Sequence, residues 1–233
     1  MKIGIFAISD IPLGKQNIKD PRLDEVDKIT KSKKKTYVQV ELVGEDGLLE
    51  ADAILTQEGS RTDLILRDLE FVETRLGRTE DAAEKALLAK MKSSLEKEET
   101  IMNAGLSEEE KKSIANYNIL THKPIIAVGK QELEDLNSVL AKAMKEAGYI
   151  SFFTTGEKDT RAWLIKKGVS SWEASGAIHS DIQKGFIRAE IIALSDFLQA
   201  GGETQAKQAG KMRLEQKDYV MQDGDLTNFR FNK

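Results

Sequence analysis

Across the first 148 residues, short apolar runs alternate with stretches of helical period, and this alternation limits the fold more than any other feature of the chain. Ile3 to Ile8 is a short apolar run rich in β-branched and aromatic residues, as a buried strand requires. Tyr37 to Val43 alternates apolar and polar residues and stops at Gly44. Lys123 to Val128 gives a third strand. Between them the period changes: Ile65, Leu69, Val72 and Leu76 step by four, three and four residues, which places them on one helix face. Strands and helices in alternation predict a small α/β layer.

The connections refine this layer. Ser9 to Lys19, with Pro12 and Gly14, reads as a loop, and Asp20 with Pro21 starts a helix carrying Leu23, Val26 and Ile29. Lys28, Lys31, Lys33, Lys34 and Lys35 form a basic run that reads as a solvated helix end, with a phosphate-contact patch as the alternative. Ala51 to Thr56 is a weaker strand. From Asp81 a second apolar stripe runs through Leu87, Met91, Leu95 and Met102, with Gly77 as a weak point and Asn103 to Gly105 as its end. Ser107 and Glu110 match a capping box, opening a helix expected to reach about Asn118. Residues 61–119 therefore read as a projecting helical hairpin inserted into an α/β domain of residues 1–60 and 120–148. The stripe leaves internal pairing and dimerisation both open. Glu132 to Gly148 is an amphipathic helix through Leu133, Leu136, Leu140 and Met144, ended by its glycine.

Residues 149–233 read as a second domain. Phe152-Phe153 and Trp163 to Ile165 flank a turn at Gly156 to Asp159, as in a β-hairpin. Trp172 to Ile182 is a short helix packing Ala174, Ala177 and Ile178. Phe186 to Ile192 is a strand, Ser195 to Leu198 a short helix capped by Ser195, and Tyr219 to Met221 and Leu226 to Phe231 bracket a turn at Asp223-Gly224.

Composition removes several function classes. A net charge of -4 gives no global basic signal for nucleic acid, so any such contact needs a local patch. Without cysteine there are no disulfides and no thiolate chemistry. The apolar start is too short for a signal peptide, and no run approaches the roughly 18 apolar residues of a membrane helix, so a cytoplasmic protein without membrane contact is expected. His122 and His179 are the only histidines, which argues against a metal site and against a nucleophilic triad. His179 is read as tying a helix end to the following loop.

A phosphate-binding loop needs Gly-x-x-x-x-Gly-Lys-Ser/Thr between strand and helix: the glycines let backbone N–H groups wrap the phosphates, the lysine neutralises charge and the hydroxyl holds magnesium. Gly14-Lys15 and Gly129-Lys130 are the near misses. Each is followed by glutamine, and Ser9 and Pro124 occupy the first-glycine positions.

Ser151-Phe-Phe-Thr-Thr-Gly-Glu157, Arg161-Ala-Trp-Leu-Ile-Lys-Lys-Gly168, Gly176-Ala-Ile-His-Ser-Asp-Ile182, Lys184 to Glu190, Tyr219 to Asp225 and Phe229 to Phe231 follow one another in an order that resembles the C-terminal TGS domain of the Obg-like ATPases, the YchF family of P-loop proteins. The resemblance implies a ubiquitin-like β-grasp for residues 149–233, following a truncated P-loop NTPase-like α/β layer that carries the hairpin. It also implies binding to the ribosome, structured RNA or a protein partner. Against the same family, Met1 to Ile8 corresponds to the strand before the phosphate loop, and Asp20 to Asp24 to a motif placed well after it. Only Ser9 to Lys19 lie between, too few for a loop and its crossover helix. Gly44 matches the glycine of the family's Asp-x-x-Gly, but the magnesium-side aspartate is Glu41 and the switch that should follow is missing. Of the base-reading Asn-x-x-Glu, Glu132 is kept while Gly129 stands for the asparagine. The resemblance thus implies a silent NTPase, leaning away from an enzyme and needing no cofactor. Its vestigial positions are Glu41, Gly44 and Glu132. The alternative is a slow ATPase or GTPase using magnesium at a remnant site around Lys15 or Lys130, and a third reading is a homodimer through Leu87, Met91 and Leu95. Lys184, Arg188, Lys211 and Arg213, among other dispersed lysines, are the candidate partner- or RNA-binding residues.

Overall fold

The computed structural model describes residues 1–232. In chain order, β1 is Lys2–Phe6, β2 Gly14–Ile18, α1 Pro21–Thr30, β3 Lys35–Thr36, β4 Val38–Val43 and β5 Ala53–Gln57. Then come α2 (Arg61–Leu76), α3 (Ala82–Leu95), α4 (Glu108–Ser113), β6 (Ile125–Val128) and α5 (Leu136–Glu146). The remainder is β7 (Tyr149–Thr154), β8 (Thr160–Lys166), α6 (Ser171–Ile178), α7 (Ser180–Lys184), β9 (Phe186–Ile192), α8 (Leu194–Ala200), α9 (Glu203–Gln208), β10 (Arg213–Glu215) and β11 (Leu226–Phe231). The fold is mixed α/β with two sheets, ordered β2-β4-β1-β5-β6 and β10-β9-β11-β7-β8-β3.

Contacts divide the chain into two units, Met1–Gln16 with Val40–Ala147, and Asn17–Gln39 with the chain from Gly148 onward. Sequence reading places 17–39 with the first domain. The physical reason for the difference is pairing: β3 lies parallel to β8, with Lys35 opposite Thr160 and Thr36 opposite Arg161. In addition, Arg22 at the start of α1 reaches Asp223 at 2.7 Å and Asp20 at 2.8 Å. No local pattern reports such distant partners.

In the first unit β1 runs parallel to both β4 and β5, and β5 parallel to β6. Ile3, Ile5 and Phe6 are buried together with Ala53, Ile54 and Leu55, the continuous apolar content expected of parallel strands covered on both faces. At Gly4 the sheet is closely covered: a Cβ there would lie 2.6 Å from Leu48 Cδ2 and 3.3 Å from Ala51 Cβ, so any larger residue would displace the Leu48 side chain. The expected loop 9–19 contains β2, a polar edge strand whose ladder comes from a neighbour rather than from its own sequence.

The helical insert is closed rather than open. Asp81 caps α3 by accepting from Glu84 N at 2.7 Å, so the helix breaks after Gly77 instead of continuing. Leu87, Leu88, Met91 and Leu95 pack with Ile65 and Val72 of α2, and the returning chain covers them with Ile101, Leu106, Ile114 and Ile119. The stripe offered for dimerisation is therefore consumed inside the unit. The capping box forms, Ser107 Oγ accepting from Glu110 N, but α4 ends at Ser113 rather than near Asn118. Glu132 to Asp135 form a short 3₁₀ turn, and α5 begins only after Asp135, which caps it through Ser138 N.

Glu84 accepts from Thr79 Oγ1, from Tyr117 Oη and from Arg75 Nε. The Thr79 and Tyr117 hydroxyls, with Arg75 beside them, hold its carboxyl down at about 2, against an ordinary 4.5. A depressed folded-state value gives stabilisation that is complete above pH 4.5 and is lost as pH falls toward 2. The melting-temperature difference between wild type and Glu84→Gln is expected to shrink over that interval. A difference constant with pH would refute the role of the charge.

In the second unit β7 pairs antiparallel with β8 and parallel with β11, while β9 pairs antiparallel with β10 and β11. Phe152, Ile165, Ala189, Ile191 and Phe229 form the core under α6, which contributes Ala174. The predicted single helix over 172–182 divides at His179, whose extended backbone separates α6 from α7 and whose Nδ1 accepts from Asp181 N at 3.1 Å. Ser170 and Glu173 form a capping box for α6, and Ala177, expected inside, is exposed. The helix assigned to Ser195 starts one residue earlier, with Ala193 at the cap position and no side-chain cap.

Candidate functional site

In parallel α/β sheets ligands sit beyond the carboxyl ends of the strands, where the strand order reverses. β1 is that point here, with β4 on one side and β5 on the other. Beyond its end lies a shallow depression lined by Ile5, Ala7, Ile8, Ile11, Leu13 and Gly44, together with Ser9 and Glu45. Ala7 turns the chain with φ of 55°. The lining is apolar and its one ionisable residue, Glu45, is an anion, paired with Arg67 at 3.1 Å. Ser9 Oγ donates to its neighbour Asp10 at 3.2 Å. From there the chain enters β2, with no helix to present its N-terminus to a phosphate.

The positions read from the sequence as vestigial are placed as follows. Glu41 is exposed on β4, in register with Lys2. Gly44 borders the depression, where a Cβ would lie 3.4 Å from Leu13 Cδ1. Glu132 Oε2 accepts from Gly129 N at 2.9 Å, closing the turn after β6 on itself. Lys15 lies exposed on β2 and Lys130 exposed just after β6; neither lines the depression. Among the described residues no group of three or more His, Asp or Glu is placed to hold a metal ion, and no helix is long and apolar enough to cross a membrane.

The four basic candidates in the second unit separate into two kinds. Lys211 is paired with Asp196 at 3.2 Å. Arg213 lies over the Tyr219 ring, donates to Tyr219 Oη at 3.0 Å and stands 3.4 Å from Glu215 and 3.8 Å from Asp225. Both are committed to internal contacts. Lys184, in the last turn of α7, and Arg188, on β9, are exposed and make no ion pair among the described residues. Lys184 borders an open groove with His179, Ile182 and Phe231. Sequence reasoning missed the network behind Arg213. Asp225, nearly fully buried, accepts from Tyr219 Oη and Gln222 N at 2.9 Å each, and burial pushes its carboxyl above the usual range. Asp223 accepts from Ser151 N at 3.1 Å. The Asp223-Gly224-Asp225 string is thus a structural turn, readable in advance only from its two aspartates around a glycine.

The YchF-GTPase_C family model, whose description is "Protein of unknown function (DUF933)", matches residues 149–232. The "Ribosome-binding ATPase YchF" of Bacillus subtilis is 32% identical over 246 residues, taking in 78% of this chain and 67% of that one. The chain belongs to the YchF family. The Haemophilus influenzae protein of the same name is 32% identical over 233 residues, 73% of this chain and 64% of its own. A Pasteurella multocida relative, also so named, reaches 50% identity over 97 residues, 42% of this chain and 27% of its own. The chain thus spans about two thirds of the length of the first two relatives. The structure of the Schizosaccharomyces pombe YchF GTPase has the same fold, with a TM-score of 0.80 and 19% identity, covering 99% of this chain and 97% of that one. The match to the Bacillus protein runs over 246 positions, more than the 233 residues here, so that relative carries segments this chain lacks.

Proposed function

We propose that this chain is a catalytically silent YchF-family protein that acts as an interaction module, with the ribosome as its partner. Its C-terminal unit serves as a TGS domain of β-grasp type, and the helical insert as a second contact element. The relatives' printed name, ribosome-binding ATPase, supports the partner. The observation that carries the loss of catalysis is the path from β1 to β2: seven residues, Ala7 to Leu13, five of them lining an apolar depression, lead into a strand instead of a phosphate loop and helix. Phosphoryl transfer depends almost wholly on positioning and charge compensation, and an apolar corner with Glu45 at its rim supplies neither. Nothing in this reading calls for ATP, GTP or magnesium, and a cytoplasmic location follows from the proposed partner.

Two measurements test it. Calorimetric titration of ATP and of GTP, each with magnesium, is expected to give no saturable heat; micromolar, magnesium-dependent binding would overturn the silent reading. In that event Lys15→Ala and Lys130→Ala distinguish a remnant site, which loses binding on substitution, from an unrelated one. Sedimentation of the chain with purified ribosomes through a sucrose cushion is expected to bring it into the pellet, and its absence there at low salt would remove the proposed partner.

A further inference from the structure

The basic run 31–35 takes no part in the site above, and the fold gives it a definite setting. The segment lies along the β7–β8 turn: Lys33 N donates to the Glu157 carbonyl at 3.2 Å, Thr160 N to the Lys34 carbonyl at 2.9 Å, and Ser32 Oγ to the Gly156 carbonyl at 2.7 Å. β3 ends the second sheet, so nothing pairs beyond it among the described strands. Lys31, Lys33, Lys34 and Lys158 are exposed there, and none makes an ion pair among the described residues. Lys28 and Lys35 differ, being paired with Glu25 and Asp24. Beside them Arg161 stacks its guanidinium 3.9 Å from the Trp163 ring centroid, and its buried Nε has no hydrogen-bond partner. The stacked ring fixes that guanidinium without neutralising it.

Two acids share the turn, Glu157 and Asp159, and Asp159 already accepts from Thr36 Oγ1 at 2.9 Å. In a chain of net charge -4, a sheet edge carrying five cations outside ion pairs against the two acids of its turn is a local reversal of sign. Unpaired lysines on a backbone fixed by hydrogen bonds, with a ring-mounted arginine among them, match a row of phosphates: point charges for affinity and no groups arranged to read bases. We infer that the β3 edge, through Lys31, Lys33, Lys34, Lys158 and Arg161, is a nucleic-acid backbone contact that follows an RNA strand without reading its sequence. This rests on the ribosome-binding reading and locates the RNA-facing surface away from Lys184 and Arg188.

The test is fluorescence anisotropy with a labelled 20-nucleotide hairpin RNA across a salt series. The triple variant Lys33→Glu, Lys34→Glu, Lys158→Glu is expected to weaken binding at least about tenfold at low salt and to flatten the salt slope by about two to three. Replacing the same three by glutamine should flatten the slope with a smaller loss, and unchanged circular-dichroism melting will show that the variants fold. Lys184→Glu with Arg188→Glu should bind as wild type does. Equal binding by the triple variants, loss confined to the Lys184/Arg188 variant, or no binding of the RNA by wild type would each overturn the inference. Ribosome sedimentation of the wild type reports separately on the reading beneath it: pelleting with failed anisotropy discards this edge alone.

Discussion

Phe152→Ala is expected to destabilise the second unit by about 3–5 kcal/mol, the range for removing a fully buried phenylalanine from a core that relaxes only partly. Phe152 is wholly buried on β7, where it faces Trp163 across the strand pair at 6.4 Å between centroids and meets the edge of Phe229 at 5.9 Å. Truncation leaves a void bounded by two rings and the aliphatic core residues Ile165 and Ile191. Strand pairing on both sides keeps the backbone from closing it. Urea unfolding followed by tryptophan fluorescence measures the loss, and Trp163 makes the signal local. Phe152→Leu, which retains most of the volume, should cost under about half as much. Equal costs for the two variants, or a loss below about 1 kcal/mol, would contradict the packing described.

Asp68→Ala comes next, with an expected loss of about 2–4 kcal/mol from the first unit. Asp68 is buried in α2, and its two carboxylate oxygens accept from Leu120 N at 2.8 Å and Thr121 N at 2.7 Å. Alanine leaves both buried N–H groups without partners, at roughly 1–3 kcal/mol each. The burial that makes the carboxylate useful also pushes its pKa above the usual range, because desolvation outweighs the donors. A raised carboxyl pKa means that the folded state holds its proton longer than the unfolded chain, so this term lowers stability as pH rises through that interval. The net effect of alanine is therefore smaller than two full unsatisfied donors. Asp68→Asn keeps one acceptor and should lose less. Hydrogen exchange should also speed up over 101–121, since Ile101 N bonds Thr121 Oγ1 and Met102 N bonds the Thr121 carbonyl. A stability change under about 1 kcal/mol with unaltered exchange would refute the brace.

Much of the local architecture was legible from residues alone. Asp20 followed by Pro21 started α1, and Ser107 with Glu110 formed its box, because caps are made within four residues of each other. Gly148, with φ of 72°, stands where the chain leaves α5, a conformation only glycine adopts cheaply. The apolar run at β1 declared a buried strand, and the alternation at β4 and the run at β6 declared strands. That no helix follows β1 before β2 was legible as well, since Ser9 to Lys19 are too few for a loop and a crossover helix.

Tertiary structure alone decided the rest. Lys211 and Arg213 looked like open basic positions until Asp196, Tyr219 and Asp225 were brought against them. The Leu87, Met91 and Leu95 stripe fitted a partner helix of either origin, and only the return of residues 101–119 assigned it inward. Segment 17–39 changed units because Arg22 meets Asp223, 201 residues away. Caps, turns and periodicity are set by neighbours along the chain and can be read there. Sheet-edge pairing, charge neutralisation and the burial of a stripe depend on which distant groups arrive, and no local sequence term encodes that.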